Sequence, residues 1–230
     1  MVVSLYRCLL VGRLSRFFRL LFVAFCFALL VGLSCWQVKR AEWKAGIKQQ
    51  IARYEHEVIN DLSPDSVSLL YRHARLQGIW LPQQFFLQNR FEQGQPGYYW
   101  LQPLALNDGK KLMVNIGWLP QKTAKPAPLS GDVLVDGWLY QAGKPNIFFP
   151  NNQPANNVWY YIDPSAMEKG AVPEYYLKAS TTEAANIEAS GVKPLGAAPI
   201  LRDDHLSYAI FWGVMAFIWL IVAWKARLLR

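Results

Sequence analysis

The chain is 230 residues long, 53% hydrophobic, 14% aromatic and only 17% charged, against roughly 25% charged in ordinary soluble domains. That balance excludes a disordered chain and a typical cytosolic domain, and the surplus apolar side chains need somewhere to go. A net charge of +8 would suit a nucleic-acid partner, but where those charges sit excludes one.

Residues 1–19 form a basic tail carrying Arg7, Arg13, Arg16 and Arg19 and no acid. Residues 20–38, LLFVAFCFALLVGLSCWQV, hold no charge, and residues 206–224, LSYAIFWGVMAFIWLIVAW, hold none either. At about 1.5 Å per residue each run just crosses a hydrocarbon core of roughly 30 Å. Residues 225–230 add Lys225, Arg227 and Arg230, again without an acid. The two tails hold +4 and +3, leaving +1 for residues 20–224. Basic flanks at both outer ends predict two transmembrane helices, both termini cytoplasmic, and the segment 39–205 on the far side of the membrane. The first run lacks a small-x-small cleavage site, so it reads as a retained anchor and not a signal peptide. With few residues before it, the chain fits a bacterial inner membrane, with a periplasmic central domain, better than a mitochondrial one.

The three cysteines, Cys8, Cys26 and Cys35, all lie in the tail or the first span. The extramembrane segment therefore cannot hold an internal disulfide, and no CxxC or CxxxC offers a thiol metal site. Beyond the first span, Trp43, Ile47, Ile51, Tyr54 and Val58 recur at helical spacing, so the helix is expected to run on towards Asn60 and pack that stripe on the domain, with Pro64 closing the region. From residue 71 the period changes to two. Strands are expected at Arg75–Trp80, Phe85–Arg90, Tyr98–Leu104, Leu112–Trp118, Val133–Tyr140 and Val158–Ile162. Gly94, Pro96 and Gly97 mark one turn, and Asn107, Asp108 and Gly109 mark another. Gly78 with Trp80, Gly117 with Trp118 and Gly137 with Trp138 suggest aromatic closure of a small sheet. Asp163 before Pro164 predicts a short helix through Met167. Residues 179–199 read as a loose return to the membrane. The fold class is thus two transmembrane helices bracketing a β-rich (α+β) antiparallel domain of about 145 residues, enough to bury its own core.

No hydrolytic triad, phosphate loop or dinucleotide fingerprint is legible, and the chain does not read as an enzyme. His56 and His73 read as ordinary solvated histidines. His205 begins the second span and shares a helical face with Tyr208 and Trp212. Two readings stand there: an interfacial anchor, or an axial ligand to a haem lying between the spans, imidazole being a usual protein ligand to haem iron. Ser34, Trp36 and Gln37 are expected at the same membrane level. Ala24, Ala28 and Gly32 form a small-residue face that would let another helix approach closely, within this chain or on a partner.

Several stretches in order resemble the Surfeit locus protein 1 family. They are Trp36-Gln37-x-x-Arg40 with Trp43-Lys44; Leu87-Gln88-Asn89-Arg90; Gly97-Tyr98-Tyr99 leading to Pro103-Leu104; Asp108-Gly109; Val114-Asn115-Ile116-Gly117-Trp118-Leu119-Pro120; Asn156-Asn157-Val158-Trp159; Pro173-Glu174-Tyr175-Tyr176-Leu177; and His205-Leu206-x-Tyr208-Ala209. The chain departs from the pattern at Ile116, where Arg is common, and at Asp204, where Asn often precedes the histidine. The resemblance implies an assembly factor for haem–copper terminal oxidases of the cytochrome c oxidase type, helping to place haem a in the catalytic subunit. It implies His205 as haem ligand with Tyr208 and Trp36 as neighbouring pocket residues, and the oxidase catalytic subunit, haem a synthase and membrane lipid as partners. The alternative is a scaffold that holds an oxidase assembly intermediate without touching haem.

Overall fold

The computed structural model describes residues 2–62, 68–143, 146, 148–182, 191–195, 198–199, 201 and 203–226. Pro64, Arg227 and Arg230 lie outside them. The chain divides into two units, Met1–Gln49 with Leu201–Arg230, and Gln50–Ile200.

The first unit is a helix pair. No proline interrupts α1, Val2–Tyr54, and α3, His205–Lys225, is equally continuous. Both are long and apolar enough to cross a membrane. They run antiparallel, as their contacts show: Trp219 Nε1 donates to the Val23 carbonyl at 3.1 Å, and Ser34 Oγ to the Ala209 carbonyl at 2.8 Å. On α3 the less exposed positions are His205, Ala209, Trp212, Ala216, Trp219 and Ala223. On α1 they include Val23, Phe27, Leu30, Ser34, Gln37, Ala41 and Lys44. Both series alternate steps of three and four, the seven-residue repeat of a coiled-coil seam. The expected small-residue face does not make this contact: Ala24, Ala28 and Gly32 are all exposed. Steps of four drift off a 3.5-residue seam. The small residues that admit the neighbour are the buried Ala209, Ala216 and Ala223 of α3.

The second unit is built on six strands: β1 (His73–Trp80), β2 (Phe85–Glu92), β3 (Gln95–Leu106), β4 (Lys111–Pro120), β5 (Asp132–Gln141) and β6 (Ala171–Thr182). Their order is β1-β5-β6-β4-β3-β2, and β1 also pairs with β3. Five strands therefore close into a barrel-like sheet. Twelve-residue β3 makes this possible, because its first half pairs with β2 and its last residues, Leu104 to Leu106, with β1. At that closure Gly78 faces Leu106, and a Cβ there would lie 2.3 Å from the Ala105 carbonyl oxygen. Only a glycine lets the strands approach this closely.

Five expected strands are present, extended by a few residues. Residues 158–162 are not a strand: Val158 and Trp159 make isolated pairings with Gln153 and Leu87. The sixth strand is β6, in a region read partly as loose return. It enters between β5 and β4, antiparallel to the first and parallel to the second. Its Pro173 sits where the β4 register shifts, the position at which a strand tolerates a missing donor. The turn of the β2–β3 hairpin is Gln93-Gly94, both at positive φ (49° and 79°), as a two-residue primed turn requires. Pro96 and Gly97 belong to β3 itself. α2, Pro164–Met167, forms as expected, with Asp163 Oδ1 accepting from the Ala166 amide at 3.2 Å.

Two apolar clusters follow from period two. Leu76, Trp100, Leu104, Leu112, Val114, Ile116, Val135, Leu139 and Leu177 fill one core. Phe85, Leu87, Leu101, Met113, Trp159, Ile162 and Met167 form a second. Ile116 belongs to the first core, so a charge at that position has no counterpart here. The end of α1 joins this unit through buried Ile51 and Tyr54, with the Arg72 guanidinium 4.1 Å from the Tyr54 ring centre. Trp43 is exposed and carries Arg40 over its ring at 4.1 Å, so it does not continue that buried stripe.

Candidate functional site

His205 is half-buried at the start of α3, on the seam of the helix pair. Its Nδ1 lies 2.8 Å from Gln37 Oε1. With the proton on Nδ1, donated to the amide oxygen, the lone pair sits on Nε2. That is the arrangement of ligating histidines, whose second nitrogen is held by a carbonyl or carboxylate that fixes tautomer and ring orientation. Three residues along α1, Ser34 bonds to the Ala209 carbonyl. Gln37 and Ser34 thus lie beside the first turns of α3. Just before α3, Asp203 pairs with Lys48 at 2.9 Å, and that hydrogen bond holds its carboxyl below the usual range.

Tyr208 and Trp36 make no side-chain hydrogen bond to the imidazole. They are 54% and 56% exposed and lie off the seam. A helical step of three from His205 rotates Tyr208 past the contact line, whereas the step of four places Ala209 on it. The helices also touch one turn from His205, at Ser34 and Ala209, and Gly213 lies close to Ser34 as well.

The other histidines differ from one another. His56 is exposed. His73 is not the solvated residue expected: its Nε2 is 2.9 Å from Asp136 Oδ1, its Nδ1 3.3 Å from the Glu55 carbonyl, and its ring stacks on Trp138 at 4.9 Å. It ties the end of α1 to β1 and β5. Among the described residues no three His, Cys, Asp or Glu side chains gather as a metal site.

In the β domain the strand pattern brings together tyrosines that sequence reasoning did not single out. Tyr71, Tyr140 and Tyr176 follow one another at 5.5 and 5.7 Å. Burial first, then neighbouring phenols, pushes Tyr140 and Tyr176 up to about 12. The folded state keeps these protons above pH 10, where an unfolded chain loses them. Stability should therefore be unaffected by these groups below about pH 10 and fall as pH rises through about 12. An ultraviolet phenolate titration should show a late-titrating group of tyrosines; release of all tyrosine protons near pH 10 with the fold intact would contradict this.

A membrane-length helix pair with one oriented imidazole, bracketing a barrel-like β domain, defines the class of architecture. The chain belongs to the SURF1 family, whose model matches residues 24–217. It is 24% identical over 212 residues to a SURF1-like protein of Rickettsia felis, covering 88% of this chain and 93% of that one. To Surfeit locus protein 1 of Homo sapiens it is 27% identical over 218 residues, 79% of this chain and 68% of the relative. A SURF1-like protein of Caenorhabditis briggsae is 26% identical over 229 residues, covering 85% and 71%.

Proposed function

We propose that the protein is a membrane-anchored assembly factor for haem–copper oxidases of the cytochrome c oxidase type, and that it handles haem a as cargo through His205. Family membership supports the oxidase role. The observation that carries the haem reading is the His205–Gln37 pair, which leaves Nε2 available as a ligand. Large side chains exposed along both helices, among them Phe18, Phe22, Phe25, Ile210, Phe217 and Ile221, favour lipid as their surroundings. The basic outer ends favour cytoplasmic termini in a bacterial inner membrane with the β domain in the periplasm. At the rim of the pair, exposed Tyr208 and Trp36 offer surfaces to cargo or to the oxidase catalytic subunit, with haem a synthase as the expected donor. Bound haem supplies only an iron centre to be ligated and shielded. This chain's residues hold it and keep it from water.

Direct contact of the helices at Ser34 and Ala209 favours a second reading, a scaffold that binds the oxidase subunit without haem. The test is the absorption spectrum of purified protein from cells that make haem a. Under the first reading the wild type is coloured and His205→Ala is colourless with an unchanged unfolding midpoint. Gln37→Leu should weaken haem binding by about 10- to 100-fold, as losing an orienting partner does at metal sites. A colourless wild type, with haem a present in the cells, would favour the scaffold.

A further inference from the structure

We propose that a cavity in the β domain, beside the bulge of β2, binds a small carboxylate carried on an apolar body. The cavity has a volume of about 310 Å³ and is lined, among the described residues, by Leu87, Arg90, Tyr99, Tyr161, Ile162 and Tyr176, with Gly143 and Phe149. That volume lies at the small end of ligand pockets, roughly 300–1,000 Å³, the scale of a free organic acid.

Two independent observations point to a ligand. The first is how Arg90 is delivered. The β2–β3 register shifts between Leu87 and Arg90, and Asn89 takes a positive φ of 58°. Bulges of this kind re-aim a side chain, and asparagine is a non-glycine residue suited to the positive φ that this one needs.

The second is that the guanidinium is under-satisfied. Nη2 donates to the Tyr160 carbonyl at 2.7 Å, but Nε is sealed from water without an acceptor among the described residues. No carboxylate among the described residues lies within ion-pair distance of it. The nearest compensation is the Tyr99 ring, 5.4 Å away. Burial holds the guanidinium below its usual range, the sign of a charge paying for desolvation without a counter-ion. An anion in the cavity supplies the missing counter-charge to the guanidinium, leaving Nε itself buried.

The walls choose the anion. One planar guanidinium matches one planar carboxylate through paired hydrogen bonds. The hydroxyls of Tyr99, Tyr161 and Tyr176, which have no hydrogen-bond partner among the described residues, can donate to the same charge. Leu87 and Ile162 are buried and apolar, and the tyrosine faces suit a flat or aliphatic body. The haem-facing histidine lies in the other unit, so this site stands apart from the proposed function.

The test is calorimetry on the full chain in lipid nanodiscs, since detergent tails would compete for an apolar cavity, with empty nanodiscs subtracted. The probes are phenylpropionate and its neutral counterpart phenylpropanol. The acid should bind about tenfold or more tightly than the alcohol. Arg90→Gln should abolish that preference, and Phe149→Ala, at a residue 45% exposed, should weaken both probes while keeping it. Equal affinity of acid and alcohol for the wild type, no binding of the acid at its solubility limit, or a preference that survives in folded Arg90→Gln would overturn the proposal. Should Arg90→Gln not fold, the wild-type comparison and Phe149→Ala decide it alone.

Discussion

Trp118→Ala should lower the unfolding free energy of the β domain by about 3–5 kcal/mol, the range for truncating a large buried aromatic. Trp118 is 0% exposed. Its Nε1 donates to the Arg90 carbonyl at 3.2 Å, and Lys193 Nζ lies 5.3 Å from the ring centre. The residue's own amide and carbonyl exchange 2.8 Å hydrogen bonds with Lys193. The indole also occupies the space beside Gly97, where a Cβ would come within 2.5 Å of it. Truncation thus leaves a cavity and an orphaned carbonyl on the strand that aims Arg90. Urea unfolding followed by circular dichroism should show the loss. A midpoint equal to wild type would refute it. Arg90→Ala should cost less, about 1–3 kcal/mol, through the lost contact with the Tyr160 carbonyl.

Gln102→Leu should be nearly as damaging although it swaps similar volumes, at about 3–5 kcal/mol for three stranded polar groups. Gln102 is 0% exposed in the middle of β3. Its Nε2 donates to the carbonyls of Leu81 and Leu129, each at 2.7 Å, and its Oε1 accepts from the Leu129 amide at 3.0 Å. The side chain clamps the segments after β1 and before β5 onto the sheet. Leucine fills the space but takes the partner from the buried amide and carbonyl of Leu129 and from the half-buried carbonyl of Leu81. Hydrogen exchange should report the loss first at the Leu129 amide. Unchanged protection there would mean that water or a local shift replaces the clamp.

The chain's local patterns determined most of this architecture unaided. Two charge-free runs of membrane length, basic outer ends and period-two strands are properties of neighbouring residues, so they were legible wherever the pattern was strict. Asp163 before Pro164 carried enough information to place a four-residue helix. The motifs from Trp36 to Tyr208, in order, were enough for the family.

What stayed hidden depends on partners far away in sequence. β6 carries Pro173 and the exposed Glu174 and reads as no strand until β5 and β4 flank it. The closing pairing of β1 with β3 joins positions 24 to 28 residues apart, whose energetic reward exists only in the folded barrel. The same holds for the sites. That His205 meets Gln37 follows from where α3 turns its seam, which a single helix does not specify. Arg90 looked like one more strand residue. Only a bulge, a missing counter-ion and three tyrosines drawn from separate segments make it a site. Local sequence sets which conformation each segment prefers, while tertiary packing alone decides which side chains share a space and which charges are left without a partner.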